Sequence, residues 1–348
     1  MSAATTGTAK EAAESTRIAR PGADRSRILL TVALLWALAV PFLFSDYDLL
    51  QLSRVWSVAL AVASLNLLSG YAGQVSAGHG ALFGLGAYTG VLLVGKGGLA
   101  WPVALLGALA VCLAAGALLG LPALRVGGLS LGLLTIAIAA LFPLVVTRFD
   151  GLTGGAVGLQ LDAPPLAAPG WTGLADAQFG YLVVLVLCGI VAIGLRNLTR
   201  GRFGRSMEAL RTSPLMAVST GVDTRRLTLT VFALSAGVAG FAGALNAMVL
   251  TLVTPDGFSL AFSLTLLAAS VVGGTRSWAG AIVGGAFVTY LPQYMSDHMD
   301  GGSAGQWAQV AYAAALLLVL YFAPRGIVHL VRTGLARLGA RRTEGRPA

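Results

Sequence analysis

Ten long apolar runs divide this chain, and they constrain its fold more than any other feature. An apolar helix needs about 17–25 residues to cross ~30 Å of hydrocarbon, and most of the runs meet that length. We place them at roughly 28–44, 53–70, 80–95, 101–120, 129–147, 178–196, 227–252, 260–275, 278–294 and 306–323. Three of them (80–95, 260–275 and 278–294) are short and rich in glycine, so their bounds are the least defined. The sequence therefore predicts an all-α polytopic membrane protein with about ten transmembrane helices and Gly-rich broken segments.

Composition excludes the other broad classes. Hydrophobic residues make up 56% of the chain and charged residues 11%, whereas soluble domains carry about a quarter charged residues. The same apolar content is too high for a disordered chain. A net charge of +9 could indicate nucleic-acid binding, but most arginines cluster between or outside the apolar runs. That distribution is typical of membrane topology, in which basic residues stay in the cytoplasm.

The basic residues also predict an orientation with both termini inside. All but three of the 23 Lys and Arg residues then lie in or beside cytoplasmic segments, and the exceptions are Arg54, Lys96 and Arg148. The outer segments carry aspartates instead. We therefore expect a disordered basic cytoplasmic tail at 1–27, a transmembrane domain at 28–323, and a basic cytoplasmic tail at 324–348.

Two loops are long enough to have structure of their own. The outer loop 148–177 is rich in Gly and Pro, which predicts ordered turns. The inner loop 197–226 is rich in Arg, and Ser206 to Thr220 has the apolar pattern of a helix. Pro214 interrupts that pattern, so two short helices are an alternative.

One polar, Gly-rich stretch lies at membrane depth, between Asn66 and Gly80. Unwound backbone at that depth must be buried in protein or line a wet cavity. One hypothesis is that the stretch lines the substrate path, as broken helices do in transporters. The alternative is a loop that only shapes the helix bundle. The candidate path residues are Asn66, Gly73, Gln74, Ser76, Gly78 and His79.

The chain shows no enzymatic or metal-binding apparatus in its sequence. No Asp or Glu lies in any of the ten predicted runs, so His79 is interpreted as a hydrogen-bonding or packing residue rather than a proton relay. Cys112 and Cys188 lie singly in apolar runs and are interpreted as packing residues. The stretch Gly90 to Gly97 approaches a phosphate-binding loop but lacks its hydroxyl residue.

Several ordered motifs resemble the branched-chain amino-acid ABC permease family, specifically its LivM-type membrane subunit. Asn66 to Gly90 is similar to the signature LNLL-x-GY-x-GQ-x-S-x-GH-x-x-x-x-G-x-GAY of that family. Further similar stretches follow in order, and only the N-terminal ~50 residues fall outside the match. They are Leu124 to Ala140, Leu152 to Leu159, Arg202 to Asp223, Pro255 to Ser259, Gly273 to Gly280 and Ala323 to Gly326.

The resemblance implies a non-catalytic permease subunit of an ATP-driven importer in the bacterial inner membrane. Implied partners are a second related permease, two cytoplasmic ABC ATPases that hold ATP and Mg, and a periplasmic solute-binding protein; this chain would hold no cofactor. A short cytoplasmic helix would couple to the ATPase, with Arg211, Pro214, Ala217, Gly221 and Asp223 as candidates. The candidates for contact with the binding protein are Asp150, Thr153, Gly154 and Gly155.

The resemblance leaves the solute open. Branched-chain amino acids are the family default, and urea, short amides or another small organic solute are the alternatives. Arg276 and Ala281 stand where the family commonly has Gly and Pro. A second alternative is a self-contained secondary transporter or channel, which would predict intramembrane acids and no coupling helix.

Overall fold

A computed structural model describes residues 37, 39–126, 128–297, 314, 318 and 321. The chain divides into two units between Ser45 and Asp46. In the first unit the description covers a short 3₁₀ helix, Val40–Phe42. The second unit contains all the helices discussed below.

Eleven α-helices and one pair of very short strands follow one another in the described part of the second unit. They are α1 Asp46–Leu65, α2 His79–Gly95, α3 Trp101–Ala123, α4 Leu129–Arg148, α5 Asp150–Thr153, β1 Leu159–Gln160, α6 Asp176–Arg200, α7 Arg202–Thr212, α8 Pro214–Ser219, α9 Thr224–Leu250, β2 Leu252–Val253, α10 Leu260–Gly273 and α11 Trp278–Asp297. A π-helical segment, Asn66–Tyr71, extends α1, and a 3₁₀ helix, Pro255–Phe258, precedes α10.

The helices confirm an all-α membrane architecture. Five of the described helices are long and apolar enough to cross a bilayer: α1 with its extension, α3, α4, α6 and α9. The shorter helices α2 and α10 are also apolar. The count of ten spans and the orientation stay predictions, because more than half of the predicted span 28–44 and nearly all of 306–323 lie outside the described residues, as do the tails.

Two of these helices form the centre of the bundle. In α1 and α9, 78% of the most apolar stretch is buried, against 28–33% in α3, α4 and α6. Helix α9 packs against α3, α2 and α1. Helices α2 and α9 approach closely at Gly86 and Gly240, where a Cβ on Gly86 would lie 2.0 Å from the Gly240 carbonyl oxygen. The small residues thus allow close backbone packing, as expected for helices in lipid.

The outer loop is folded against the end of the bundle. Strand β1 pairs antiparallel with β2, with Leu159 opposite Val253 and Gln160 opposite Leu252. We call this end of the bundle outer and the opposite end, where α7 and α8 lie, inner, after the orientation predicted above. The strand pair links the loop before α6 to the segment after α9.

Candidate functional site

The candidate site is the broken segment, residues 66–79, between α1 and α2. Its backbone leaves α-helical geometry at Asn66 and regains it at His79. Several amides along it are paired: Gln74 N–H donates to the Leu68 carbonyl at 3.1 Å, and Ala77 N–H donates to Thr135 Oγ1 at 2.9 Å. The predicted break is therefore present, and protein groups rather than lipid satisfy these backbone amides.

His79 lies in a buried hydrogen-bonded cluster. Its Nδ1 is 3.0 Å from Ser76 Oγ and its Nε2 is 2.8 Å from Ser235 Oγ, while the Ser235 hydroxyl donates to the Ser64 carbonyl at 2.7 Å. Because Ser235 has already donated its one proton, Nε2 must carry a proton and donate to it. Ser76 can then donate to Nδ1. This arrangement satisfies a neutral imidazole, in agreement with the hydrogen-bonding role expected for His79.

The remaining predicted path residues have mixed environments. Ser76, Gly78 and His79 border a cavity of about 10 Å³, which has room for at most one water molecule. Asn66 is buried, and its Oδ1 accepts a hydrogen bond from Ser270. Gly73 is exposed and Gln74 is half-buried, both on the inner side. The six residues therefore do not line one continuous opening in this conformation.

The inner side of the broken segment is held by two arginines, and we call this group the inner network. Arg211 Nη1 donates to the Gly70 carbonyl at 2.9 Å. The Arg276 guanidinium pairs with Glu208 and lies 5.6 Å from the centre of the Tyr71 ring, whose hydroxyl donates to the Arg276 carbonyl at 3.2 Å. Sequence analysis missed Glu208 and Arg276 as partners, because no local pattern joins residues 68 positions apart.

The broken segment packs tightly against the elements that carry the inner network. A Cβ on Gly70 would lie 1.8 Å from the Thr275 carbonyl oxygen, and one on Gly73 would lie 2.7 Å from Arg211 Cγ. Gly73 also has a φ of +71°, a conformation that other residues rarely adopt. The loop before α11 and the end of α7 therefore both contact the broken segment directly.

The predicted coupling residues lie in three different places. Two short helices, α7 and α8, replace the single helix that Ser206 to Thr220 would form, and Pro214 begins the second. Ala217 is buried in α8, and Gly221 follows its end with a φ of +81°. Asp223 instead caps α9 by accepting from Arg226 N–H at 3.0 Å. Arg211 belongs to α7 and contacts the broken segment.

Helix α8 leaves an apolar face uncovered. Leu215, Met216 and Val218 are 84%, 68% and 58% exposed. Ser213 caps the helix by accepting a hydrogen bond from Met216 N–H at 3.4 Å. Leu215 and Val218 belong to the apolar pattern that predicted a helix over Ser206 to Thr220, whereas Met216 was not singled out.

The predicted contacts for a binding protein are mostly structural in the outer loop. Thr153 is buried and donates to the Val146 carbonyl at 2.6 Å. Gly154 and Gly155 have φ values of +73° and +59° and form the turn after α5. Asp150 is exposed, and its carboxylate accepts from Gly151 N–H at 2.7 Å. Of the four, only Asp150 presents a side chain to the surroundings.

A second polar site, which we call the outer cavity, was missed by sequence analysis. It measures about 310 Å³ and lies between α1, the end of α9 and the start of α10. Its lining includes Arg54, Phe83, Asn246, Thr254, Phe258 and Phe262. Sequence analysis counted Arg54 with the outer segments, but α1 begins at Asp46 and places it more than two turns inside the helix.

No cluster of His, Cys, Asp and Glu able to hold a metal ion occurs within residues 37–297 as far as they are described.

Comparison with known proteins identifies one family. The model of the family described as branched-chain amino acid transport system / permease component matches residues 50–322. The high-affinity branched-chain amino acid transport system permease protein LivM of Escherichia coli is 29% identical over 334 aligned positions, which cover 89% of this chain and 77% of the relative. LivM of Salmonella typhimurium is 28% identical over the same shares, and LivH of Escherichia coli is 23% identical over 78% of this chain and 90% of the relative. No solved structure matches the chain.

Proposed function

This chain belongs to the family of permease components of branched-chain amino acid transport systems, and we propose that it forms half of the membrane pore of an ATP-driven importer. The family match over residues 50–322 is the observation that carries the proposal. The cargo would be branched-chain amino acids, crossing the bacterial inner membrane. The chain would span that membrane about ten times with both termini in the cytoplasm.

The other components of the importer would be separate chains. They are a second related permease, two ABC ATPases that bind ATP and Mg, and a periplasmic solute-binding protein. This chain would hold no cofactor and would catalyse no reaction itself. Exposed Asp150 on the outer loop is the proposed contact for the binding protein.

We propose that α8 is the element that docks on an ATPase subunit. Three apolar side chains are exposed on this six-residue helix, and burying them against a protein partner would remove apolar surface from water. The helix follows α7 after a single residue, Ser213, and α7 carries Arg211 and Glu208. A movement of α8 would therefore pass through Arg211 to Gly70 and through Glu208 to the loop at Arg276, and from both to the broken segment.

Reconstitution would test the proposal. The chain is expressed with its neighbouring permease, ATPase and binding-protein genes, and the purified assembly is placed in liposomes. We expect uptake of labelled leucine that requires both ATP and the binding protein. ATP-dependent uptake of urea or short amides in place of leucine would overturn the cargo, and uptake without ATP would overturn the importer.

A surface variant would test the coupling helix separately. Leu215→Glu places a charge on the exposed face of α8 without touching the core, so the chain should fold normally. We expect the ATPase subunits to be lost from the purified assembly. The matched control is Val157→Glu, an equally exposed apolar residue on the outer loop (83%), which should retain them. Retention of the ATPases by Leu215→Glu, and by Gly221→Glu at the end of α8, would show that α8 does not dock.

A further inference from the structure

We infer that the outer cavity is a binding site for a small carboxylate with an apolar side chain, with Arg54 binding the carboxylate and the Asn246 amide supplying a second polar contact. The inference rests on the proposed function, because it gives the importer a recognition site inside the permease itself. No contact of the broken segment or of the coupling helix assigns this role.

The arginine is the first reason. Arg54 lies within a helix that is long and apolar enough to span the membrane, and its exposed side chain lines the cavity, where its guanidinium is open to a ligand. Among the described residues it forms no hydrogen bond or ion pair, and no acidic side chain lines the cavity. The two other arginines that contact the helix bundle near the broken segment, Arg211 and Arg276, both have partners.

Asn246 supplies an independent reason. Its side chain is 8% exposed and lines the same cavity, yet its Oδ1 has no hydrogen-bond partner among the described residues. A buried amide oxygen without a partner is unfavourable, so a ligand or water that donates to it would be stabilising. The unpaired Oδ1 is an acceptor and would pair with a donor such as an amino group, whereas the amide NH₂ can donate to a carboxylate oxygen.

The apolar side of the cavity defines the rest of the ligand. Phe83, Phe258 and Phe262 pack on one another, with ring centres 5.5–6.3 Å apart, and together form one wall. A volume of about 310 Å³ is at the small end of the range for small-molecule sites, which suits a compact aliphatic side chain. An aromatic wall beside a single guanidinium matches an amino acid such as leucine, whereas urea has no charge for the arginine to bind.

The cavity is also placed for entry from outside. Asn246 and Leu250 lie one turn apart at the outer end of α9, and β2 with Thr254 closes the rim. The strand pair of β1 and β2 connects that rim to the outer loop. A solute released at the outer end would reach this cavity before the broken segment.

Cysteine protection in the assembled transporter would test the site directly. Leu250→Cys places a thiol on the cavity wall, and native Cys112 and Cys188 are buried and should react little. We expect leucine and isovalerate to slow labelling by a membrane-impermeant maleimide, and isoamylamine and chloride not to. Trp171→Cys, at an exposed residue of the outer loop that does not line the cavity, is the control and should be protected by none of them. If Leu250→Cys is covered by a partner chain, Leu252→Cys reports on the same lining.

Arg54 variants would then identify the group that is recognised. Arg54→Met should weaken protection by leucine about 10- to 100-fold, as expected for loss of a charge-assisted hydrogen bond, and Arg54→Lys should restore part of it. Equal protection in Arg54→Met, protection by chloride alone, or failure of both cysteines to react would overturn the inference.

An assembly that imports leucine without protection contradicts this site only. Protection in an assembly that imports no amino acid contradicts the proposed function only.

Discussion

The broken segment and the outer cavity both place polar groups among apolar helices, yet the two sites differ in whether those groups have protein partners. In the broken segment, His79, Ser76 and Ser235 share hydrogen bonds, and Arg211 and Arg276 on the inner side have protein partners. In the outer cavity, no described residue pairs with Arg54 or with Asn246 Oδ1.

The difference separates two uses of polarity in a membrane protein. A satisfied network fixes one arrangement of backbone and side chains, and its energy is lost when any member is removed. An unsatisfied buried group contributes nothing to folding and can even oppose it, whereas a ligand or water that pairs with it would be stabilising. The comparison therefore predicts opposite stability effects for apparently similar substitutions in the two sites.

The largest contrast is expected between His79→Leu and Asn246→Leu, two replacements of a buried polar side chain by leucine. His79→Leu removes hydrogen bonds to two buried serines and should lower the free energy of unfolding by about 2 kcal/mol. Asn246→Leu loses no described hydrogen bond, so stability should stay equal or rise slightly. Unfolding of the purified chain by SDS in mixed micelles would measure both.

Equal destabilisation by the two variants would contradict the difference between the broken segment and the outer cavity. If Asn246→Leu destabilised the chain as much as His79→Leu, Asn246 would have to be a structural residue with a partner of its own. A matched variant in the satisfied cluster, Ser235→Ala, should fall between the two because it removes one hydroxyl that both donates and accepts.

A smaller contrast is expected between two arginines. Arg211→Met removes a charge-assisted hydrogen bond to the Gly70 carbonyl and should cost about 1 kcal/mol, reduced by the exposure of the arginine. Arg54→Met should leave stability nearly unchanged, since the exposed arginine forms no hydrogen bond or ion pair with a described residue. The same SDS titration measures the difference. Equal losses in the two variants would show that Arg54 has a protein partner.

The sequence predicted the helices well where apolar residues alone decide them. The runs 101–120 and 129–147 correspond to α3, Trp101–Ala123, and α4, Leu129–Arg148. The start of α1 was predicted seven residues late, at 53 rather than 46. The polar residues there, Asp46 and Asp48, were counted as loop, although acidic side chains favour the first turn of a helix.

The sites were predictable only as far as they are local. The glycines and polar residues between Asn66 and Gly80 predicted the break, which the structure contains. Ser235 and Thr135, which pair with this segment, lie 156 and 58 residues from their partners in the chain and belong to other helices. Arg54 carried a local signal, an arginine inside an apolar run, but the charge partition assigned it to the outer side. Hydropathy therefore predicts which helices form, and only packing determines which polar groups meet.

The smallest effect is expected at the exposed end of the inner network, and it shows where the contrast between satisfied and unsatisfied groups stops mattering. Arg276 and Glu208 form an ion pair, but each side chain is 45% exposed, so water competes for both charges. A double-mutant cycle with Arg276→Gln and Glu208→Gln should give a coupling energy below about 1 kcal/mol that shrinks as salt is added. A coupling well above that value, insensitive to salt, would mean that a neighbouring chain shields this pair in the assembled transporter. In that case the pair would belong with His79 as a structural contact rather than with the solvated surface.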